Sequence, residues 1–493
     1  MLSSLVVCAS APPRLHTLTS TPSHLLRAPP SSKLGPPPRY VTQPRDHFDA
    51  SDTKTWQQAY YVNDTFFVPG SNAPVFLCVG GEGPPLDGSV VVASVHCNVA
   101  VEWLPATGAL MLAVEHRYYG CHNASACPYS AADPQPLKWL SSRQALADLA
   151  SFHAHATAAF GLTSQNKWVS WGGSYPGMLA GWFRVTYPNL VHAAVASSAP
   201  VIAKLDMQEY NDVTAEAYAL PSVGGSDACR ANIADGHATI GAMLNTSSGR
   251  DALAKTFRLP SGRWLKSRAN QRGFAGFGVA NFPAQSNDPA CTAPLCNIAK
   301  ICGVMAANDT KTNVERLAVL RNGGAGARAA AARAAEASAV EEEESSAAAA
   351  RSPHETLDYW GYQTCTEFGF YQTCEDGTEC FYTQGLDLLE DNDDFCQNWG
   401  IAPTDIQASI DATNQYYGAG RPNATRILYP NGDVDPWHGL SILTSPSPDL
   451  PVMMVSGASH HAWTHPTLPT DQPSVVAARA AIRKQVAAWL ALP

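Results

Sequence analysis

Residues 167–200, KWVSWGGSYPGMLAGWFRVTYPNLVHAAVASSAP, constrain the chain more than any other stretch. The short apolar run at 167–171, with its β-branched residue, reads as a buried strand. Residues 172–177 form a turn. Met178, Leu179, Trp182, Phe183 and Val185 then recur at helical spacing, and Pro188 stops the helix. Small apolar residues at 191–199 read as a second buried, parallel strand. A serine on a tight strand-to-helix turn, here Ser174, has its hydroxyl lifted above the sheet edge as in a nucleophile elbow. The helix that follows offers a backbone N–H and a favourable dipole to a nearby oxyanion. Gly172 and Ser174 fit the elbow pattern G-x-S-x-G, but Pro176 stands at the second glycine, where strand and helix pass closely. Proline is tolerated in a first helical turn because its missing N–H has no partner there. The plain alternative is a glycine-rich turn with a surface serine.

Composition narrows the class. The chain has 493 residues, 45% of them hydrophobic, and 12 Trp, enough for a large core. A net charge of −10 with only 15% charged residues argues against a nucleic-acid surface, which needs clustered Lys and Arg. No apolar run is long enough to cross a membrane. Of the 13 cysteines, Cys8 would be lost with a cleaved leader, leaving an even number for disulfides. Their spacings lack the paired ligands of a zinc ribbon. Sequons at Asn63, Asn123, Asn245, Asn308 and Asn423 are candidate glycosylation sites and, with the cysteines, point to the secretory route, whether extracellular, vacuolar or lysosomal. Residues 1–45 contain no acidic residue and read as a leader outside the fold, secretory by preference, with an organelle transit peptide as the alternative.

Along the chain, residues 74–79 and 110–114 read as strands and 140–160 as a helix. With the elbow they give an alternating β/α pattern and a mostly parallel sheet, expected over 46–202. The Gly80-Gly81-Glu82-Gly83-Pro84 loop lacks the Lys-Ser/Thr of a phosphate-binding loop. In a hydrolase it would lend the second oxyanion N–H. Residues 203–408 are expected to form a cap insertion, with no clear strands over 203–300 and an Ala/Glu-rich segment at 323–352. The stretch YWGYQTCTEFGFY at 359–371 is dense in aromatics, either core or pocket wall. The α/β pattern returns at 409–493, with strands at 426–429 and 450–456 and a terminal helix at 472–492.

A serine hydroxyl needs a base within hydrogen-bond reach and a carboxylate to fix that base's tautomer. The order Ser174, Asp435, His460, each just past an expected strand, matches that of α/β-hydrolases. Asp433 is a competitor for the acid, or a residue that satisfies its own turn. His460, His461 and His465 lie in a loop without a helical i+4 carboxylate partner, so no metal is expected. No cofactor is expected either.

The segments GGSYPGMLAGWFRVTYPNLVHAAVASSAP, EHRYYG, LKWLSSRQALADL, YQTCTEFGFYQT, NGDVDPW and GASHH resemble the serine peptidase family of lysosomal Pro-X carboxypeptidase, dipeptidyl peptidase II and thymus-specific serine protease, the last branch most of all. The resemblance covers most of residues 40–493 outside the Ala/Glu-rich insert. It implies an α/β-hydrolase with a mainly helical cap. Ser174 would be the nucleophile, Asp435 the orienting acid and His460 the base. Tyr175 and the Gly81–Glu82 loop would form the oxyanion hole. Tyr362, Glu367, Phe368 and Phe370 would help shape the substrate site, with Glu82 or Glu367 as candidate holders of a peptide amine. The implied activity is exopeptidase cleavage of short peptides after proline or a small residue. An esterase or lipase on the same fold, or an inactive binding homologue, are the alternatives. Peptides are the expected partners, and a homodimer is left open.

Overall fold

The computed structural model describes residues 35–121, 123–130, 132–323, 357–391 and 395–493. The expected leader up to residue 34 and the Ala/Glu-rich segment from residue 324 onward lie outside the described residues.

Eight strands form the central sheet: β1 (Arg39–Pro44), β2 (Thr55–Asn63), β3 (Val75–Val79), β4 (Leu110–Val114), β5 (Trp168–Gly173), β6 (Ala193–Ser197), β9 (Ile427–Gly432) and β10 (Val452–Val455). Their order is β1-β2-β4-β3-β5-β6-β9-β10. The β1/β2 and β2/β4 pairs are antiparallel, and every later pair is parallel. Parallel strands covered on both faces should read as unbroken apolar runs, and β3 (VFLCV) and β4 (LMLAV) are buried at every position. The two-residue period still sorts their side chains. Val75, Leu77 and Val79 pack with the helices α1 (Ser142–Phe160) and α2 (Tyr175–Thr186) on one face. Phe76 and Cys78 pack on the other, in the cluster that includes Val475, Ile482 and Val486 of the terminal helix. This topology is that of an α/β-hydrolase.

Between β6 and β9 the chain builds a second body with its own apolar core. Its helices include α3 (Glu209–Ala217), α4 (Asp227–Leu244), α5 (Ser247–Phe257) and α6 (Ile298–Met305), and a Cys229–Cys302 disulfide ties α4 to α6. Contrary to expectation for 203–300, β7 (Lys204–Asp206) forms at the base of the insertion and pairs in parallel with β8 (Gly369–Tyr371). Gly369 is required there, with φ 73° and a Cβ that would fall 2.4 Å from the Lys204 carbonyl oxygen. α7 (Pro403–Tyr417) runs straight through the expected boundary at 408–409, and α8 (Pro473–Leu490) closes the chain. The other disulfides are Cys78–Cys97, Cys121–Cys127, Cys291–Cys296, Cys365–Cys396 and Cys374–Cys380.

The expected start of the fold at residue 46 is also corrected. β1 is an integral edge strand, and its Gln43 side chain is buried, donating to Gln58 Oε1 (2.7 Å) and to the Asp148 carbonyl (3.0 Å). Tyr40, Val41 and Thr42 favour an extended chain, but the run is short and proline-flanked, and it is the pairing with β2 that makes it a strand.

Candidate active site

The elbow forms where the sequence places it. β5 extends through Gly173, α2 begins at Tyr175, and Ser174 lies between them with φ 66° and ψ −134°. Such a backbone conformation in a non-glycine residue costs about 1–3 kcal/mol and must be imposed by its surroundings. Here the Ser174 N–H donates to the Ser197 carbonyl at 2.9 Å, and the Ser174 carbonyl accepts from Met178 N–H at 3.0 Å. Two glycines let strand and helix meet. A Cβ on Gly172 would lie 2.2 Å from the Pro176 oxygen, and one on Gly177 would lie 2.7 Å from the Ser197 oxygen. The close approach thus falls at Gly177, one residue later than the pattern requires, which frees position 176 for proline. The Pro176 ring fills the space over Gly81, whose own Cβ would sit 2.3 Å from Pro176 Cγ. The loop after β3 and the elbow are therefore fitted to each other through a proline on one and a glycine on the other.

Two late loops supply the other side chains. Asp435 follows β9 and is wholly buried; its Oδ1 accepts from Trp437 N–H at 3.0 Å. His460 follows β10, and its Nδ1 lies 2.8 Å from the same Asp435 oxygen. That bond fixes the tautomer with the proton on Nδ1 and the lone pair on Nε2. Nε2 is buried and forms no hydrogen bond. Asp433, the competing acid, is occupied elsewhere, its Oδ1 accepting from Gly457 N–H at 2.6 Å. His461 turns its ring beneath the elbow, where a Cβ on Gly173 would meet it at 2.9 Å. Among the described residues no group of three or more His, Cys, Asp or Glu is placed to hold a metal ion, and no helix is long and apolar enough to cross a membrane.

Glu82 reaches the same place from the loop after β3. Burial raises its carboxyl to about 7, against the opposing pull of its own backbone N–H, the His460 charge and a hydrogen bond with the Ser174 side chain. Its Oε2 is buried without a hydrogen-bond partner. Ser174 itself remains partly exposed.

Tyr175 is buried behind the elbow. Its hydroxyl contacts His116 Nε2 (3.0 Å) and accepts from Gln363 Nε2 (2.9 Å), while Gln363 Oε1 accepts from the Tyr119 hydroxyl (2.7 Å). Burial pushes the His116 imidazole down to about 4, so it is neutral and can accept from Tyr175.

The aromatic stretch splits. Tyr362 packs beside Tyr118, Tyr119 and Trp399. Phe368 is fully buried against Tyr175 and Trp182, so it is core and not pocket wall. Phe370 lies edge-on to Trp437, 5.5 Å between ring centroids, and Trp437 lies 6.3 Å from the His460 ring. Glu367 holds no free charge for a substrate. Its carboxylate accepts from the Ser142 N–H (2.9 and 3.0 Å), the Ser142 hydroxyl (2.6 Å) and Gln363 (3.1 Å), and so caps the start of α1. Of the sequons, Asn123, Asn245, Asn308 and Asn423 are exposed, whereas the Asn63 amide is partly buried and donates to the Val91 carbonyl at 2.9 Å.

Sequence reasoning missed three neighbours of the site. Trp437 stands two residues after Asp435 in the same motif and could have been found there. Tyr210 and Gln285 come from the insertion and carry no local signal. The Gln285 side chain accepts from both the Tyr210 hydroxyl (2.8 Å) and Trp437 Nε1 (3.1 Å), and its carbonyl accepts from His460 N–H (3.2 Å).

Residues 43–482 match the family described as serine carboxypeptidase S28. The thymus-specific serine protease of Homo sapiens is 33% identical over 92% of this chain and 86% of that protein. The lysosomal Pro-X carboxypeptidase of Homo sapiens is 27% identical over 92% of this chain and 88% of that protein. The solved structure of proline iminopeptidase from Mycobacterium smegmatis aligns with 91% of this chain and 99% of that one, at 14% identity and a TM-score of 0.34.

Proposed function

Since this chain belongs to the serine carboxypeptidase S28 family and is a serine peptidase, we propose that Ser174, His460 and Asp435 are its catalytic triad and that it trims short peptides from one end, after proline or a small residue. The observation that carries this reading is the 2.8 Å His460–Asp435 bond, which leaves Nε2 of the same ring buried and without a hydrogen bond. In the first step Ser174 Oγ attacks the peptide carbonyl and its proton passes to His460 Nε2. Asp435 stabilises the imidazolium. The Tyr175 N–H and an N–H of the Gly81–Glu82 loop receive the oxyanion. His460 then protonates the leaving amine, and water, activated by the same imidazole, releases the acyl group.

Proline at the acyl side is favoured by two supports. One relative is named a Pro-X carboxypeptidase, and the Phe370, Trp437 and Tyr210 rings near His460 give a flat apolar ring faces to pack on. The six disulfides and the exposed sequons support passage through the secretory route, with Asn123, Asn245, Asn308 and Asn423 as glycosylation sites. Mass-spectrometric profiling of a mixed peptide pool tests the specificity. Products shortened at one end, with proline or a small residue on the acyl side of the cut, are expected. Internal cleavage as the main outcome, or no preference at that position, contradicts the reading.

A further inference from the structure

The Glu82 carboxyl is hydrogen-bonded with the Ser174 side chain, yet two acceptor atoms of this site stay unpaired. His460 Nε2 and Glu82 Oε2 are both buried without partners, and Ser174 brings a single O–H proton. A hydroxyl donates once but also accepts. It can serve both neighbours only if one of them carries a proton of its own. His460 has its proton on Nδ1, directed at Asp435, so the extra proton belongs to the carboxyl.

Resting on the reading of Ser174 and His460 as nucleophile and base, we propose that Glu82 is a further catalytic residue, active as the neutral acid, which donates to Ser174 Oγ and so turns the Ser174 proton toward His460 Nε2. The chain of donors then runs Glu82, Ser174, His460, Asp435, each O–H or N–H pointing to the next acceptor. No proton is transferred in setting it up. When Glu82 ionises it becomes an acceptor, takes the Ser174 proton for its own hydrogen bond, and leaves the base facing the oxygen's lone pairs. Attack then first requires that bond to be broken.

The surroundings of Glu82 agree with a neutral resting form. It is faced by Ser174 from the elbow, by His460 from the loop after β10 and by Tyr119 from the loop after β4, whose phenol is held neutral chiefly by its own burial. Burial outweighs the attraction of His460 and brings the Glu82 carboxyl to about 7. It is an acid with a raised value, so the neutral, active form prevails below that pH and is lost above it.

The test is the rate of covalent labelling by a fluorophosphonate as a function of pH, each variant normalised to its own rate at pH 6. Above about pH 7 the wild-type rate should fall roughly tenfold per unit. Glu82→Gln, whose amide N–H₂ donates at every pH, should keep its rate to pH 9 and exceed the wild type's relative rate about tenfold at pH 8. Glu82→Asp, which keeps the acid on a shorter stem, should move the falling limb without abolishing it, and it carries the test if the glutamine variant does not fold. An unmoved limb in the folded variants overturns the proposal, as does a folded Glu82→Gln protein that takes no label at any pH. Ser174→Ala separates the two readings. If that variant still labels at the site, the nucleophile assignment fails and this proposal with it; if it does not label and the limb stays where it was, only the role of Glu82 is lost.

Discussion

Asp433 and Asp435 share one turn but have different partners, and the difference is chemical. Asp435 orients the imidazole, whereas Asp433 pins the loop after β10 through Gly457. Asp435→Asn should therefore lower kcat/KM by about 10⁴, because an amide favours the wrong imidazole tautomer. Asp433→Asn should cost about 1 kcal/mol of stability and leave kcat/KM within roughly tenfold. Steady-state kinetics and thermal unfolding of the two variants check this, and equal losses of activity would contradict the assignment. From the sequence the pair could not be separated by spacing, since both follow the same strand. The deciding contacts come from chain 24 and 25 residues away. Glu367 was opaque for the same reason: it reads as a spare carboxylate until Ser142, 225 residues distant, arrives to use it.

Among the elements, strand, elbow and helix were legible because apolar period and turn chemistry agree locally. Strands β3 and β4 are continuous apolar runs, and α1 opens on Ser141, whose hydroxyl accepts from Gln144 N–H. What local pattern cannot show is a strand defined by its partner, as with β1, or one of three residues, as with β7 and β8. Nor does the elbow's missing glycine signal a defect, since Gly177 takes the close contact and Pro176 is matched by Gly81. This fit is testable. Gly81→Ala should push the loop off the Pro176 ring and lower kcat by about a hundredfold, the scale of a lost oxyanion donor. Adding Pro176→Gly should restore at least tenfold of that. A double variant no better than the single one would mean that the loop is placed by something else.

At the scale of the whole molecule, the sheet supplies all three proposed triad residues, and the insertion supplies what surrounds them. Gln285, from the insertion, holds Tyr210, Trp437 and the His460 backbone together. The separation was readable as a switch from alternating β/α pattern to a long stretch without it, but the return of that stretch over the active site was not, because no sequence period encodes a contact between two bodies. The account rests on one event, transfer of the Ser174 proton to an imidazole held by Asp435. The most direct measurement is intact-protein mass after fluorophosphonate treatment of the wild type, Ser174→Ala and His460→Ala, each first shown to be folded. One adduct on the wild type, located to the peptide containing Ser174, and none on either variant is the predicted result. An adduct on folded Ser174→Ala, or undiminished labelling of His460→Ala, would contradict it.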